Sequence, residues 1–173
     1  PIYTADPYRV WLSEIMLQQT RAETVKVYYL RFLQVLPDIR ALAECPEDKL
    51  LKLWEGLGYY NRARNLQKAA KLIMEEFDGS FPREPEQVRS LPGIGAYTAG
   101  AICSICFGFP IPAVDGNVLR VCSRLTASRE DVSLVPNKRA IADALLPCFP
   151  AKDYGNFNQA LMELGATICI PGV

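Results

Sequence analysis

Two carboxylates stand in this chain where acid–base chemistry could be done. Glu14 lies in Val10–Leu17, a run in which only Ser13 and Glu14 are polar. A carboxylate in such surroundings is desolvated, and desolvation raises its pKa toward what a general acid needs at neutral pH. The plain alternative is a helix carboxylate that reaches solvent. Asp115 lies in Pro112-Ala113-Val114-Asp115-Gly116-Asn117-Val118. Aspartate is a preferred helix N-cap and Asp-Gly-Asn is turn chemistry, so on its own this residue reads as structural. Two such carboxylates can divide acid–base work, one donating a proton and the other, ionised, stabilising positive charge that develops. The chain has no histidine. That excludes His-based triads, His zinc sites and the H-x-E deaminase motif, and leaves acid–base work to carboxylates, Tyr, Lys or Cys.

A second feature is Leu91-Pro92-Gly93-Ile94-Gly95. Gly93 and Gly95 can take φ > 0 and admit a backbone close to them. A helix follows at once, and its free N–H groups make an anion site that needs no net positive charge. On the glycines alone, an ordinary helix–turn–helix corner is the better reading. The balance of charge fits a local site: Lys+Arg and Asp+Glu both number 19, so no broad electrostatic attraction for nucleic acid is on offer.

The elements that must position these residues read as helices throughout. Apolar periodicity marks helices at 8–19 and 22–36, the second ending before Pro37. Pro46-Glu47-Asp48 starts another, which stops at Gly56-Leu57-Gly58. An amphipathic helix runs over 61–77, closed by Gly79. Further helices fall at 85–90, 96–107, 117–126, 136–147 and 155–168, and no stretch alternates at period two. The fold class is all-α. The six cysteines are scattered, several in apolar runs. They read as free buried thiols in a reducing setting. Cys103 and Cys106 have redox spacing, but in an apolar helix core packing is the better reading. No signal peptide or membrane-length apolar stretch is seen. At 173 residues the chain suits one domain or two small lobes, and its end at Ile170-Pro171-Gly172-Val173 reads as that of a fragment.

Taken together, the motifs are more specific than any one of them. Asp6–Thr20 (DPYRVWLSEIMLQQT), Leu53–Leu66 (LWEGLGYYNRARNL), Leu91–Ile102 (LPGIGAYTAGAI), Ala113–Val121 (AVDGNVLRV) and Phe157–Cys169 (FNQALMELGATIC) occur in this order. The chain resembles the helix-hairpin-helix DNA glycosylases of the endonuclease III superfamily, and within them the MutY-type adenine glycosylases. That resemblance implies a helical barrel lobe, residues 21–132, containing the helix-hairpin-helix at 85–107. It implies a second helical lobe from 1–20 and 133–173, with a cleft between the lobes.

The resemblance also implies roles. Glu14 and Asp115 are the catalytic pair, with Asn117 orienting Asp115 or bonding near the sugar. Tyr97 takes the place of the lysine that, in the bifunctional branch, attacks the sugar and leads to strand cleavage. Gly93–Gly100 contains no lysine, so the implied enzyme is monofunctional and hydrolyses the N-glycosidic bond of adenine mispaired with 8-oxoguanine or guanine. The plain alternative for Tyr97 is a packed helical aromatic, and its position next to the hairpin favours lining the site. Gln18, Gln19 and Thr20 form the DNA-invading face, and Tyr59 is the wedge beside the damaged guanine. Gly93 and Gly95 grip a phosphate, often with a monovalent cation on hairpin carbonyls. Gln159 contacts the flipped adenine. Arg62 and Arg64 read as phosphate or structural contacts.

The family carries a 4Fe–4S cluster on four cysteines. Cys169 matches the first of them, and the other three have no counterpart in this chain. Adenine glycosylases usually show a Trp-Arg pair shortly before the Asp6-Pro7 position, whereas Pro1-Ile2-Tyr3 stands there. This implies that part of the adenine pocket is altered or absent. The implied partner is double-stranded DNA with a mismatched adenine, not a membrane. The implied protein is a monomer inside the cell, in the bacterial nucleoid or a nucleus. The alternatives are a thymine-mismatch glycosylase of the same superfamily, a non-catalytic helix-hairpin-helix DNA-binding module, and a structural all-α scaffold. MLQQT and GLGYY favour the adenine type over the first.

Overall fold

The computed structural model describes residues 4–172; Pro1-Ile2-Tyr3, where the altered adenine-pocket segment was placed, lie outside the described residues. Among these every regular element is helical. No helix is long and apolar enough to cross a membrane. Two compact units emerge, Pro1–Gly95 and Ala96–Val173.

The first unit holds α1 (Pro7–Leu17), α2 (Ala22–Val35), α3 (Ile39–Glu44), α4 (Glu47–Trp54), α5 (Asn61–Glu76) and α6 (Pro85–Ser90). Helix α1 begins where the sequence says it should. Asp6 accepts from the amides of Tyr8 and Arg9, and Pro7 occupies the first turn, where its missing N–H costs nothing. It stops at Leu17, two residues short of the expected end, because the chain turns through Gln19 at φ 56°. The sequence reading has no counterpart to α3; Asp38 caps it by accepting from the amide of Ala41. Trp11, Leu12 and Met16 of α1 are fully buried, together with Phe32, Leu42, Leu50, Trp54, Leu66 and Ile73. Each such side chain contributes roughly 1.5–3 kcal/mol by leaving water. Phe32 meets Trp54 edge-on at 6.0 Å, joining α2 to α4.

The second unit holds α7 (Ala96–Phe107), α8 (Gly116–Leu125), α9 (Val135–Leu145), a short 3₁₀ turn at Leu146–Cys148, and α10 (Tyr154–Thr167). Helix α9 ends earlier than expected because Pro147 draws the chain into that 3₁₀ turn. Helix α10 packs on both α7 and α8. Its glycines permit this. A Cβ on Gly165 would stand 2.5 Å from the Asn117 Cβ, and one on Gly155 would stand 2.7 Å from the Ile105 Cα. Cys103 is fully buried within α7 and Cys106 half-buried. The division implied by the resemblance, 1–20 with 133–173 against 21–132, follows other bounds than these two units.

Candidate functional site

In the first unit, Glu14 sits on α1 between buried Ser13 and Ile15 and is itself 8% exposed. An amphipathic helix would turn a carboxylate outward, but α1 has apolar residues on every side and buries Glu14 with them. Past its end come Gln18, half-buried, Gln19, exposed, and Thr20, half-buried. Gln19 is in the left-handed region. The turn between α4 and α5 repeats the pattern. Tyr59 has φ 47°, and its side chain is 63% exposed. A non-glycine residue in this conformation costs on the order of 1–3 kcal/mol and is retained only when its surroundings hold it there.

What holds both is Arg62, at the start of α5. It is buried. Its Nη1 donates to the carbonyls of Ile15 and Met16 at 3.0 and 2.9 Å and to that of Gln18. Its Nη2 donates to Thr20 Oγ1 and the Leu57 carbonyl at 3.0 Å, and to the Gly58 carbonyl at 3.3 Å. Burial pulls the guanidinium pKa down. Arg64 instead pairs at the surface with Glu47 at 2.8 Å. Both arginines are thus in structural contacts.

The hairpin runs from Leu91 to Gly95. Leu91 and Ile94 are buried anchors, while Gly93 and Gly95 are exposed. Of the two, Gly93 alone uses the positive φ open to both, at +80°. Its backbone lies against Asn65 of α5, where a Cβ would come within 2.9 Å of the Asn65 Cβ. Gly95 keeps an ordinary φ, because the chain there is already entering α7. A Cβ on it would meet nothing within 4 Å. The fold itself therefore does not require glycine at 95.

In the second unit, Asp115 is the N-cap of α8. Its Oδ1 accepts from the amide of Val118 at 2.8 Å, and its Oδ2 accepts from Asn117 Nδ2 at 2.9 Å. Asn117 Oδ1 in turn accepts from Arg120 Nη2 at 2.8 Å. The same Nη2 donates to the Gly165 carbonyl and Nε to that of Cys169, both at 2.6 Å, while Nη1 reaches the Gly116 carbonyl at 3.4 Å. Asp115 is half-buried, with one oxygen on the helix amide and the other on a fixed amide side chain. The loop leading to it is held by Asn158, 1% exposed. Asn158 Oδ1 accepts from the amide of Ala113 at 3.1 Å, and its Nδ2 donates to Ser104 Oγ and the Ile111 carbonyl.

Tyr97, on the first turn of α7, is half-buried and donates its hydroxyl to Met162 Sδ at 3.3 Å. Gln159 lies one turn before Met162 on α10. It lines a hollow of about 350 Å³ with Ser104, Lys152 and Tyr154. Asp115 and Asn117 are thus brought together, while Glu14 belongs to the first unit. Arg120, Asn158 and Met162 were not singled out from sequence. Arg120 carried a signal, lying three residues after Asn117 on one helix face. So did Asn158, a polar residue on the inward side of an apolar motif.

Cys169 is half-buried, with its Sγ accepting from Arg124 at 3.3 Å. Among the described residues no group of three or more His, Cys, Asp or Glu gathers to hold a metal. One thiolate does not make the four-thiolate cage that an iron–sulfur cluster requires, so the donors present do not fit a cluster.

Comparison with known proteins agrees with these motifs. Residues 12–146 match the model of the HhH-GPD superfamily base excision DNA repair proteins. The chain is 48% identical to the adenine DNA glycosylase of Homo sapiens over 168 residues, covering 95% of this chain and 30% of that protein. It is 41% identical to that of Buchnera aphidicola subsp. Baizongia pistaciae over 165 residues, covering 95% of this chain and 46% of that one. It therefore spans less than half the length of these relatives. Among solved structures, a thermostable thymine-DNA glycosylase superposes with TM-score 0.87 at 28% identity, covering 98% of this chain and 78% of that one. Endonuclease III in a non-covalent DNA complex superposes with TM-score 0.85 at 24% identity, covering 96% and 77%, and shares the fold. The chain belongs to the HhH-GPD superfamily of base excision DNA repair proteins.

Proposed function

We propose that this chain is the catalytic portion of a monofunctional adenine DNA glycosylase. The observation that carries the reading is a buried Glu14 together with an Asp115 whose two oxygens are separately bonded, in a chain that aligns with adenine DNA glycosylases over almost all of its length. The substrate is an adenine opposite 8-oxoguanine or guanine, extruded from the duplex at a cost of a few kcal/mol. Glu14 protonates the base, Asp115 stabilises the sugar cation or bonds to it, and Tyr97 supports the same transition state. Water then completes hydrolysis, with Glu14 acting as base. Gln159 contacts the flipped base. Gln19 and Tyr59 enter the duplex, and the hairpin amides take a phosphate with a monovalent cation on nearby carbonyls. The lobes expected from the resemblance divide these tasks. The iron–sulfur cluster implied by the resemblance, for which Cys169 is the single candidate ligand, cannot be assembled from this chain alone, and no step of the reaction passes through it.

The test is base release by the full-length protein from duplexes carrying adenine or thymine opposite 8-oxoguanine or guanine. The expected result is adenine release, an abasic product, no strand cut, and no adduct trapped by borohydride. Release of thymine instead would select the thymine-mismatch alternative, and a trapped amine–DNA adduct would sink the monofunctional reading.

The hairpin carries its own expectation. Replacing Gly95 with Val leaves thermal stability within about 0.5 kcal/mol, because the side chain enters open space at an ordinary φ. DNA affinity falls about tenfold or more, since a phosphate loses its close approach to charge-assisted amide bonds. Unchanged affinity by fluorescence anisotropy would remove the hairpin from the DNA-binding surface.

A further inference from the structure

We infer that Arg62 is a positioning residue that welds the Gln19 loop and the Tyr59 turn into one insertion unit; the inference rests on the DNA-facing reading of those two loops. The two residues share an uncommon state. Neither is glycine, both have positive φ, and both expose their side chains. Each is flanked by groups bonded to the same guanidinium. Gln18 and Thr20, on either side of Gln19, accept from Nη1 and Nη2 respectively. Leu57 and Gly58, just before Tyr59, accept from Nη2. The cation also lies 5.5 Å from the Tyr59 ring centroid and 5.4 Å from that of Trp54, whose Nε1 donates to the Gly58 carbonyl at 3.0 Å. The planar fork therefore reaches both loops from beneath at once. An ammonium cannot reproduce this, because it is a compact point charge without the spread of a guanidinium.

The hairpin adjoins the same support. Asn65, one turn further along α5, is the residue against which Gly93 rests. A single helix thus backs three outward-facing segments, and a buried arginine fixes the spacing of two of them. If both loops enter DNA, they enter as a pair. The energetic effects of truncating Gln19 and Tyr59 are then coupled through Arg62 rather than through contact between the two side chains.

The test uses the full-length protein with Arg62→Lys. In the absence of DNA, amide hydrogen exchange in segments 17–20 and 56–60 is expected to rise together, by about tenfold or more, as bonds to a charged donor are lost. Amides of α7 and α10 stay unchanged. On a duplex with 2-aminopurine beside the target adenine, Gln19→Ala and Tyr59→Ala each reduce the extrusion signal. Their effects are non-additive by about fivefold in the parent and additive in the Arg62→Lys background. Increased exchange in only one segment, or coupling that survives Arg62→Lys, overturns the inference. If exchange rises in both segments but none of the three substitutions alters DNA binding or extrusion, the inference falls through its premise, and the fault lies with the DNA-facing reading. Should Arg62→Lys not fold, Thr20→Val removes one acceptor of the clamp and leaves the arginine in place. Increased exchange at 56–60, away from the substituted residue, then supports the inference, and its absence overturns it.

Discussion

Glu14→Gln is expected to lower single-turnover adenine release by about 10²–10⁴-fold, the range that positioned proton transfer contributes. The substitution keeps the shape of the side chain and removes the proton donor. Glu14 is 8% exposed within a helix whose neighbouring residues are buried, so an isosteric amide disturbs packing far less than an alanine would. Duplex affinity is expected to hold, since Gln19, Tyr59 and the hairpin are untouched. Single-turnover kinetics on 8-oxoguanine-containing duplex separates the chemical step from binding. Release at the parental rate would show that protonation comes from elsewhere and would end the two-carboxylate mechanism.

Asp115→Asn is the companion result, with an expected loss of about 10²–10³-fold in the same assay, the scale on which one electrostatic stabiliser acts. Asparagine is as good an N-cap as aspartate, so α8 should remain capped and thermal stability should change by no more than about 1 kcal/mol. The charge, however, is gone. There is also a bonding conflict. Asp115 accepts through one oxygen from the Val118 amide and through the other from Asn117 Nδ2. An asparagine has only one side-chain oxygen and must leave one of these donors unmet. Asn117 cannot turn its amide to compensate without losing the bond from Arg120 to its Oδ1. A variant that melts like the parent but releases no adenine separates the chemical role of Asp115 from its role as a cap. Parental release at unaltered stability would make it a cap alone.

Local features were the ones most readable in the sequence. Pro46, Gly79 and the hairpin glycines act within a few residues of themselves, and the helix boundaries they mark fall close to those observed. The association of Asn117 with Asp115 was implied by the resemblance rather than read from the residues, and the two side chains bond at 2.9 Å. Helix α3 did not show because it is six residues long, too short to establish an apolar period; its signal was the capping Asp38. The destination of Arg62 was hidden for a different reason. Its bond to Ile15 joins positions 47 apart in sequence, and that of Tyr97 to Met162 joins positions 65 apart. No periodicity encodes such pairs. A charged residue destined for burial also looks, in sequence, like any arginine beside tyrosines. Gly95 shows the same limit: glycine permits an unusual φ, but its backbone is ordinary and the space beyond it is open.

The makeup of the hairpin bears on how a chain of zero formal net charge would find its substrate. Leu91–Gly95 contains no lysine or arginine, so what it presents to a phosphate is backbone. Proteins that grip the duplex through lysine and arginine expel condensed counterions, and their affinity falls steeply as ionic strength rises. A neutral amide expels none. The share of affinity that comes from this hairpin would therefore persist at salt concentrations that erode a basic patch, and long-range steering would add little to the encounter rate. Recognition through this element would then be a matter of fit at close range, little altered by ionic strength.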